Sequence, residues 1–343
     1  MINSLKDEEN KINKKGVFLG IEILRAILAF FIVVRHFFKL DYEENYFTKF
    51  VFHCQPFYVP TFFLISFYFS FETFYSKNIK KINERFKRIL IPYLSWPIIL
   101  WIRNIIIDCN MKLSGNALKD IVIQLLIGYG FYGVFWFQFN LIFLSIIFLI
   151  IIFIFKKYSL FIFNFSCIFL LIINDNYQLH LKDYKKIYPI KRLLPCFIYS
   201  FTGFYFGSIS IINQLSEKRK PTFLLIIPAA ILINQYNQLA QISLNFQILT
   251  IELTAICIFL VFSLIPLESI GNSIYKKLIK AITSYTGGIY YIHYGVRNIF
   301  STRFKIIGSG NLEACIINYM LCYFICFIGT SIFKNTKLRY LFN

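Results

Sequence analysis

Gly20-Ile-Glu22-Ile-Leu-Arg25-Ala-Ile-Leu-Ala-Phe-Phe-Ile-Val-Val-Arg35-His36 is an apolar run interrupted by a few groups that a lipid interior tolerates badly. Charged and imidazole side chains within such a run are costly and are functional candidates by default. Read as a helix, the eleven residues from Arg25 to His36 turn the chain through three full turns plus about 20°, so both side chains share one face. They stand roughly 16 Å apart along the axis. One face thus carries a fixed guanidinium, suited to a phosphate or carboxylate, and an imidazole suited to proton transfer. Glu22, one turn before Arg25, is placed to pair with it. Arg35 points about 100° away from His36, toward the headgroup region. The plainer reading has Arg25 reaching along the helix to water and His36 closing the helix end.

The rest of the chain extends the membrane reading. Of 343 residues, 57% are hydrophobic and 15% charged, against about half and a quarter in soluble domains. Apolar stretches fall near 17–38, 51–74, 89–107, 134–155, 160–173, 193–212, 222–233, 247–267, 282–300 and 312–333. With about 20 residues per crossing, this predicts an all-α, multispanning transmembrane helical bundle of about ten spans. The segment 117–132 reads as an amphipathic re-entrant or interfacial helix. Residues 1–16 form a polar N-terminal tail, 17–333 the membrane domain and 334–343 a short C-terminal tail.

Alternate loops and both tails carry 21 Lys and Arg, and the opposite loops 11. The bias places both termini in the cytoplasm, with the basic 174–192 loop as the exception. The net charge of +19 is accounted for by the same rule, and no nucleic-acid partner is expected. Eight scattered cysteines without a C-x-x-C pair predict neither a metal site nor a disulfide framework.

Four further stretches carry polar groups in apolar surroundings. Tyr58-Val-Pro60-Thr-Phe62-Phe63-Leu-Ile-Ser66 is an aromatic segment, broken by proline, that ends at a hydroxyl. Arg85-Phe-Lys87-Arg88-Ile-Leu-Ile-Pro92-Tyr93 is a basic cluster before a span, which also fits the positive-inside flank. Trp136-Phe137-Gln138 sits at a span boundary, where aromatic belts are routine. Ser284-Tyr-Thr-Gly287-Gly288-Ile-Tyr290-Tyr291-Ile-His293 brings a second imidazole into a late span, one turn before Arg297.

In this order, the motifs resemble the acyltransferase 3 family of integral membrane acyltransferases. The resemblance rests on Glu22, Arg25 and His36, on Pro60, Phe62, Phe63 and Ser66, on Arg85, Arg88, Pro92 and Tyr93, on Trp136 and Phe137, and on Ser284, Tyr285, Gly288, Tyr290 and His293. It departs where the family has a glycine after the second-span serine and this chain has Phe67. The resemblance implies transfer of an acyl group, acetyl most often, from acyl-CoA to a hydroxyl of a cell-surface carbohydrate or its lipid-linked precursor. It implies a multi-pass protein of the plasma (inner) membrane, with acyl-CoA as donor substrate and no permanently bound cofactor. Arg25, Arg85 and Arg88 would hold the CoA anion and His36 would act as general base. His293 or Ser66 would take secondary roles, and Glu22, Trp136 and Tyr290 would shape the site. A transporter or flippase for a glycan or lipid-linked substrate is the alternative, in which the same polar residues line a path.

Overall fold

The reason these residues form helices is that apolar backbone in lipid must satisfy its own hydrogen bonds. A computed structural model of the chain describes residues 2–37, 46–108, 135–155, 158–178, 188–210, 225–239, 244–264, 283–299 and 312–342, with short pieces within 119–128 and 277–281. The elements in order are α1 (Ile2–Phe37), α2 (Tyr46–Tyr75), α3 (Ile79–Asp108), α4 (Trp136–Phe155), α5 (Ser159–Gln178), α6 (Tyr188–Ser208), α7 (Ile226–Leu239), α8 (Leu244–Leu264), α9 (Thr286–Ile299) and α10 (Leu312–Ile332), then a 3-10 turn, Lys337–Leu341. No strand occurs among the described residues. Each of the ten apolar stretches overlaps one helix. Among the described residues, four segments are long and apolar enough to cross a membrane: Lys49–Tyr75, Trp136–Phe155, Phe246–Ser263 and Glu313–Ile332. Their outward faces are apolar, with Phe143, Ile146, Ile150 and Phe153 on α4 and Met320, Phe324 and Phe327 on α10 all exposed. Such a surface suits lipid and would aggregate in water. Most of the 117–132 segment, the 179–187 part of the basic loop and the side chain of Arg103 lie outside the described residues.

Helix boundaries differ from expectation in three places. The polar tail is not a separate element, because α1 begins at Ile2. The basic cluster is not a loop either. Only Ser76–Asn78 separate α2 from α3, with Lys77 at φ 52°, and the Asn78 side chain accepts from the Lys81 amide at 3.2 Å to cap α3. Arg85 and Arg88 therefore stand on the helix itself. The prolines also fail to break it: Pro56 and Pro60 lie inside α2, and Pro92 and Pro97 inside α3. Membrane helices accommodate proline where neighbouring groups make up for the lost donor.

The core is aromatic. Phe148 of α4 stacks on Phe163 of α5 at 4.2 Å and lies 4.6 Å from Phe67 of α2 and 5.3 Å from Phe204 of α6. Phe67, the residue in place of the family's glycine, is fully buried in this spine. Close approach is supplied from the other side, by Gly203 and Gly207 of α6. A Cβ on Gly203 would stand 2.2 Å from the Leu64 carbonyl oxygen, and one on Gly207 2.7 Å from that of Tyr68. This is small-residue packing at i, i+4, and it brings the α2 and α6 backbones into close contact.

Residues 334–342, within the short C-terminal tail, fold back onto the bundle. Trp96 Nε1 of α3 donates to the Leu341 carbonyl at 3.0 Å. The Tyr340 hydroxyl donates to Glu84, whose other oxygen is 2.7 Å from Lys87 Nζ. These two donors hold the Glu84 carboxyl below its ordinary pKa. The Phe342 backbone fits over Gly288, where a Cβ would meet its carbonyl oxygen at 2.5 Å. The hook ties α3, α9 and α10 together.

Gly203→Val drives a methyl into backbone that cannot retreat, so a loss of about 3 kcal/mol is expected. In detergent it should lower the thermal midpoint sharply, whereas Ile231→Val, at a position 57% exposed, should leave it unchanged. Equal midpoints would show that the seam is not tight.

Candidate active site

Two contacts set the site, and both join α1 to α9. Near one end, the Thr283 hydroxyl, in the turn before α9, donates to Glu22 at 3.0 Å. Toward the other, the rings of His36 and His293 face each other with centroids 5.0 Å apart. These contacts make the two helices parallel neighbours and give the site two ends.

At the histidine end, His293 is fully buried. Its Nδ1 lies 3.2 Å from the Ile289 carbonyl, one turn back. A carbonyl can only accept, so Nδ1 carries the proton and Nε2 holds a lone pair. That Nε2 is buried with no hydrogen-bond partner. Tyr290 lies 5.9 Å from the His293 ring and Tyr294 6.4 Å from that of His36. Arg297 packs its guanidinium 5.8 Å from the Tyr294 ring, and its Nε is buried without a partner. Arg35 is partly exposed and turns toward α2. It donates to Gln55 and lies 4.6 Å over the Phe52 ring, both on α2.

Aromatic contacts fix the height of α4 and α9. Phe137 lies 4.9 Å from Phe63, 6.0 Å from Phe62 and 5.5 Å from Tyr290. Trp136 is not a lipid-facing belt residue: it is 8% exposed, with the Arg192 guanidinium 4.5 Å over its ring. Gln138 is buried beside Tyr290 and Tyr291.

At the other end, three guanidiniums gather. Arg88 is the cation whose field reaches both Arg25 and Arg85. Arg25 also feels Glu22, but no ion pair within 4 Å joins them among the described residues. Glu22 turns to Thr283 instead, because that hydroxyl reaches it across the helix interface. Arg85 Nη2 donates to Ser66 Oγ at 3.0 Å, with Phe67 and Phe74 rings beside its guanidinium. Arg88 is exposed. With Lys87, four cations stand against the Glu22 and Glu84 carboxylates and leave an excess positive field, which favours an anion.

Ser66 belongs to this end. Arg35 bonds Gln55 beside the histidine pair, and Ser66 lies eleven residues further along α2, roughly 16 Å away. The structure therefore groups Arg25, Arg85, Arg88, Glu22 and Ser66 at one end and His36, His293, Tyr290 and Trp136 toward the other.

Sequence reasoning missed two residues. Arg192 was counted as a loop charge, although it covers Trp136 from α6. Glu252 stands alone as a carboxylate in the apolar 247–267 run, and the in-span rule applied to His36 would have singled it out.

Neither the curated proteins nor the solved structures contain a match to this chain. The family model described as an acyltransferase domain, Acyl_transf_3, matches residues 18–334, which takes in both ends of the site. The chain is a multi-pass membrane protein that belongs to the acyltransferase 3 family.

Proposed function

We propose that this protein transfers an acyl group, acetyl foremost, from acyl-CoA to a hydroxyl of a cell-surface carbohydrate or its lipid-linked precursor. The observation that carries the reading is the His36–His293 pair, 5.0 Å ring to ring, with Arg25 on the same face of α1 and Arg85 and Arg88 of α3 gathered at the far end. The acyl-CoA phosphates bind at the arginine end, with Arg25 and Arg88 as contacts. Arg85, bonded to Ser66, shapes that end from behind. The pantetheine arm runs along α1 and brings the thioester to the histidines, over a span of the order of 16 Å. His36 takes the proton of the acceptor hydroxyl as its oxygen attacks the thioester carbon. The tetrahedral intermediate collapses with departure of the CoA thiolate, which takes up the proton. His293, whose Nδ1 is held by Ile289, orients His36. Ser66 is a hydrogen-bonded packing hydroxyl in this scheme and forms no acyl-enzyme.

In the membrane this arrangement corresponds to ten crossings with both ends cytoplasmic, in the plasma (inner) membrane, so that the arginine end faces the acyl-CoA supply. Reporter fusions after Lys15 and after the last residue should both read cytoplasm. A split result would mean an odd number of crossings and overturn the ten-span topology.

Loss of a general base costs about 10²–10⁴-fold in rate. His36→Ala should lose acyl transfer by that factor with normal membrane insertion, measured as acyl-CoA-dependent modification of the acceptor. Retention of more than a tenth of the activity would remove His36 from the base role.

Arg25 separates donor from acceptor binding. Arg25→Lys keeps the charge but loses the bidentate fork, so the KM for acyl-CoA should rise roughly tenfold. Arg25→Ala should raise it further, and the KM for the carbohydrate should hold in both. Glu22, already bonded to Thr283, is not orphaned by the change. If Arg25→Ala leaves acyl-CoA binding intact and blocks passage of a lipid-linked glycan, the flippase reading takes over.

A further inference from the structure

Glu252 has no part in the scheme above. It sits on the inward face of α8 with Ile248, Ala255 and Phe259, while Leu249 and Leu253 beside it are 43% and 52% exposed. The carboxyl is therefore one layer in from the lipid-facing surface. It is 5% exposed, and neither oxygen has a hydrogen-bond partner. No Lys, Arg or His lies within 4 Å of it among the described residues.

Its neighbours are neutral. α5 presents the buried Cys167 thiol, whose surroundings include the Glu252 carboxyl. α6 presents Thr202, but that hydroxyl donates to the Ile198 carbonyl at 3.2 Å. The Thr202 proton is spent and its oxygen lone pairs are open. α1, α2 and α7 also pack on α8; α2 brings the Tyr68 phenol, 5.3 Å from Phe259, and among the described residues none of the three brings an ion-pair partner.

An ionised carboxylate here would be an unpaired charge in an apolar interior, which proteins avoid by neutralising the group. A protonated carboxyl fits better, since its O–H is a donor beside a hydroxyl oxygen able to accept. We infer that Glu252 is a proton-binding site, occupied in the packed structure, whose discharge loosens α5 from α6 and α8. Loss of the proton puts a bare charge between three helices, and α5, exposed along Phe161, Phe165, Ile168 and Phe169, can move outward into lipid so that water reaches it. The site is independent of acyl transfer and stands whether or not that reading holds.

The test uses the full-length protein in phospholipid nanodiscs. A hydrophobic carbodiimide reaches an acid near lipid. The carboxyl O–H adds across the carbodiimide C=N bond, and the adduct rearranges to a stable N-acylurea with nothing lost. Peptide mass spectrometry should find this adduct on Glu252 in the wild type. A water-soluble carbodiimide should leave the residue unmodified. Glu252→Gln should lose the label. In parallel, a membrane-permeant maleimide reports exposure of Cys167. Its labelling rate should rise more steeply with pH in the wild type than in Glu252→Gln, which is permanently neutral. The intrinsic pH dependence of the reagent is common to both. Equal steepness, or modification by the water-soluble reagent alone, overturns the inference. So does protection by sodium at fixed pH, which would make the occupant a metal cation. If Glu252→Gln does not fold, the two carbodiimides on the wild type still decide.

Discussion

The parallel contact between α1 and α9 is the constraint on which the site depends. Glu22 with Thr283 near one end and His36 with His293 toward the other fix two distant parts of the chain in register. A slip of either helix by one turn, about 5.4 Å, would separate the imidazoles and free the carboxylate together. The surrounding structure holds that register. The glycines of α6 draw α2 in, Phe137 wedges α4 between α2 and α9, and the C-terminal hook seats on Gly288 in α9.

That geometry divides the chemistry along the helix axis. Arg25, Arg85 and Arg88 crowd one end, and the two imidazoles lie toward the other with Arg35 and Arg297 beside them, with aromatic and aliphatic packing between. A ligand with an anionic head and a reactive group at the far end of a flexible arm matches this layout. A thioester of coenzyme A has that form. The two ends also answer to different physics. Arginine charge is fixed and reads a phosphate by its field and fork, whereas an imidazole works by giving up and taking a proton.

Much of this was legible in the sequence where a residue type was anomalous for its surroundings. The shared face of Arg25 and His36 follows from helical periodicity alone, and His293 stood out as an imidazole in an apolar run. Each of the ten apolar stretches overlaps a described helix, and four of these helices are long and apolar enough to cross a membrane, where backbone hydrogen bonding leaves little choice but helix. What the sequence did not reveal depends on side-chain direction and on distant contacts. Glu22 looked like the partner of Arg25 by spacing, yet Thr283, 261 residues away, takes it. Arg85 read as a ligand of the CoA anion, and spacing gave no sign that a three-residue turn puts it on the helix with Ser66 as a hydrogen-bond partner. The hook at 337–342 had no signal, since its contacts are to Trp96, Glu84 and two glycines on other elements. Glu252 is the opposite case, a visible anomaly passed over because no motif surrounds it.

The central claim is that the arginine end binds the donor and the histidine end uses it. The direct measurement is thiol release from acetyl-CoA by the purified protein in nanodiscs, with and without carbohydrate acceptors. The account predicts release of free CoA that depends on acceptor and equals the ester formed on it. Absence of acetyl-CoA binding, together with movement of a lipid-linked glycan across the bilayer, would contradict it.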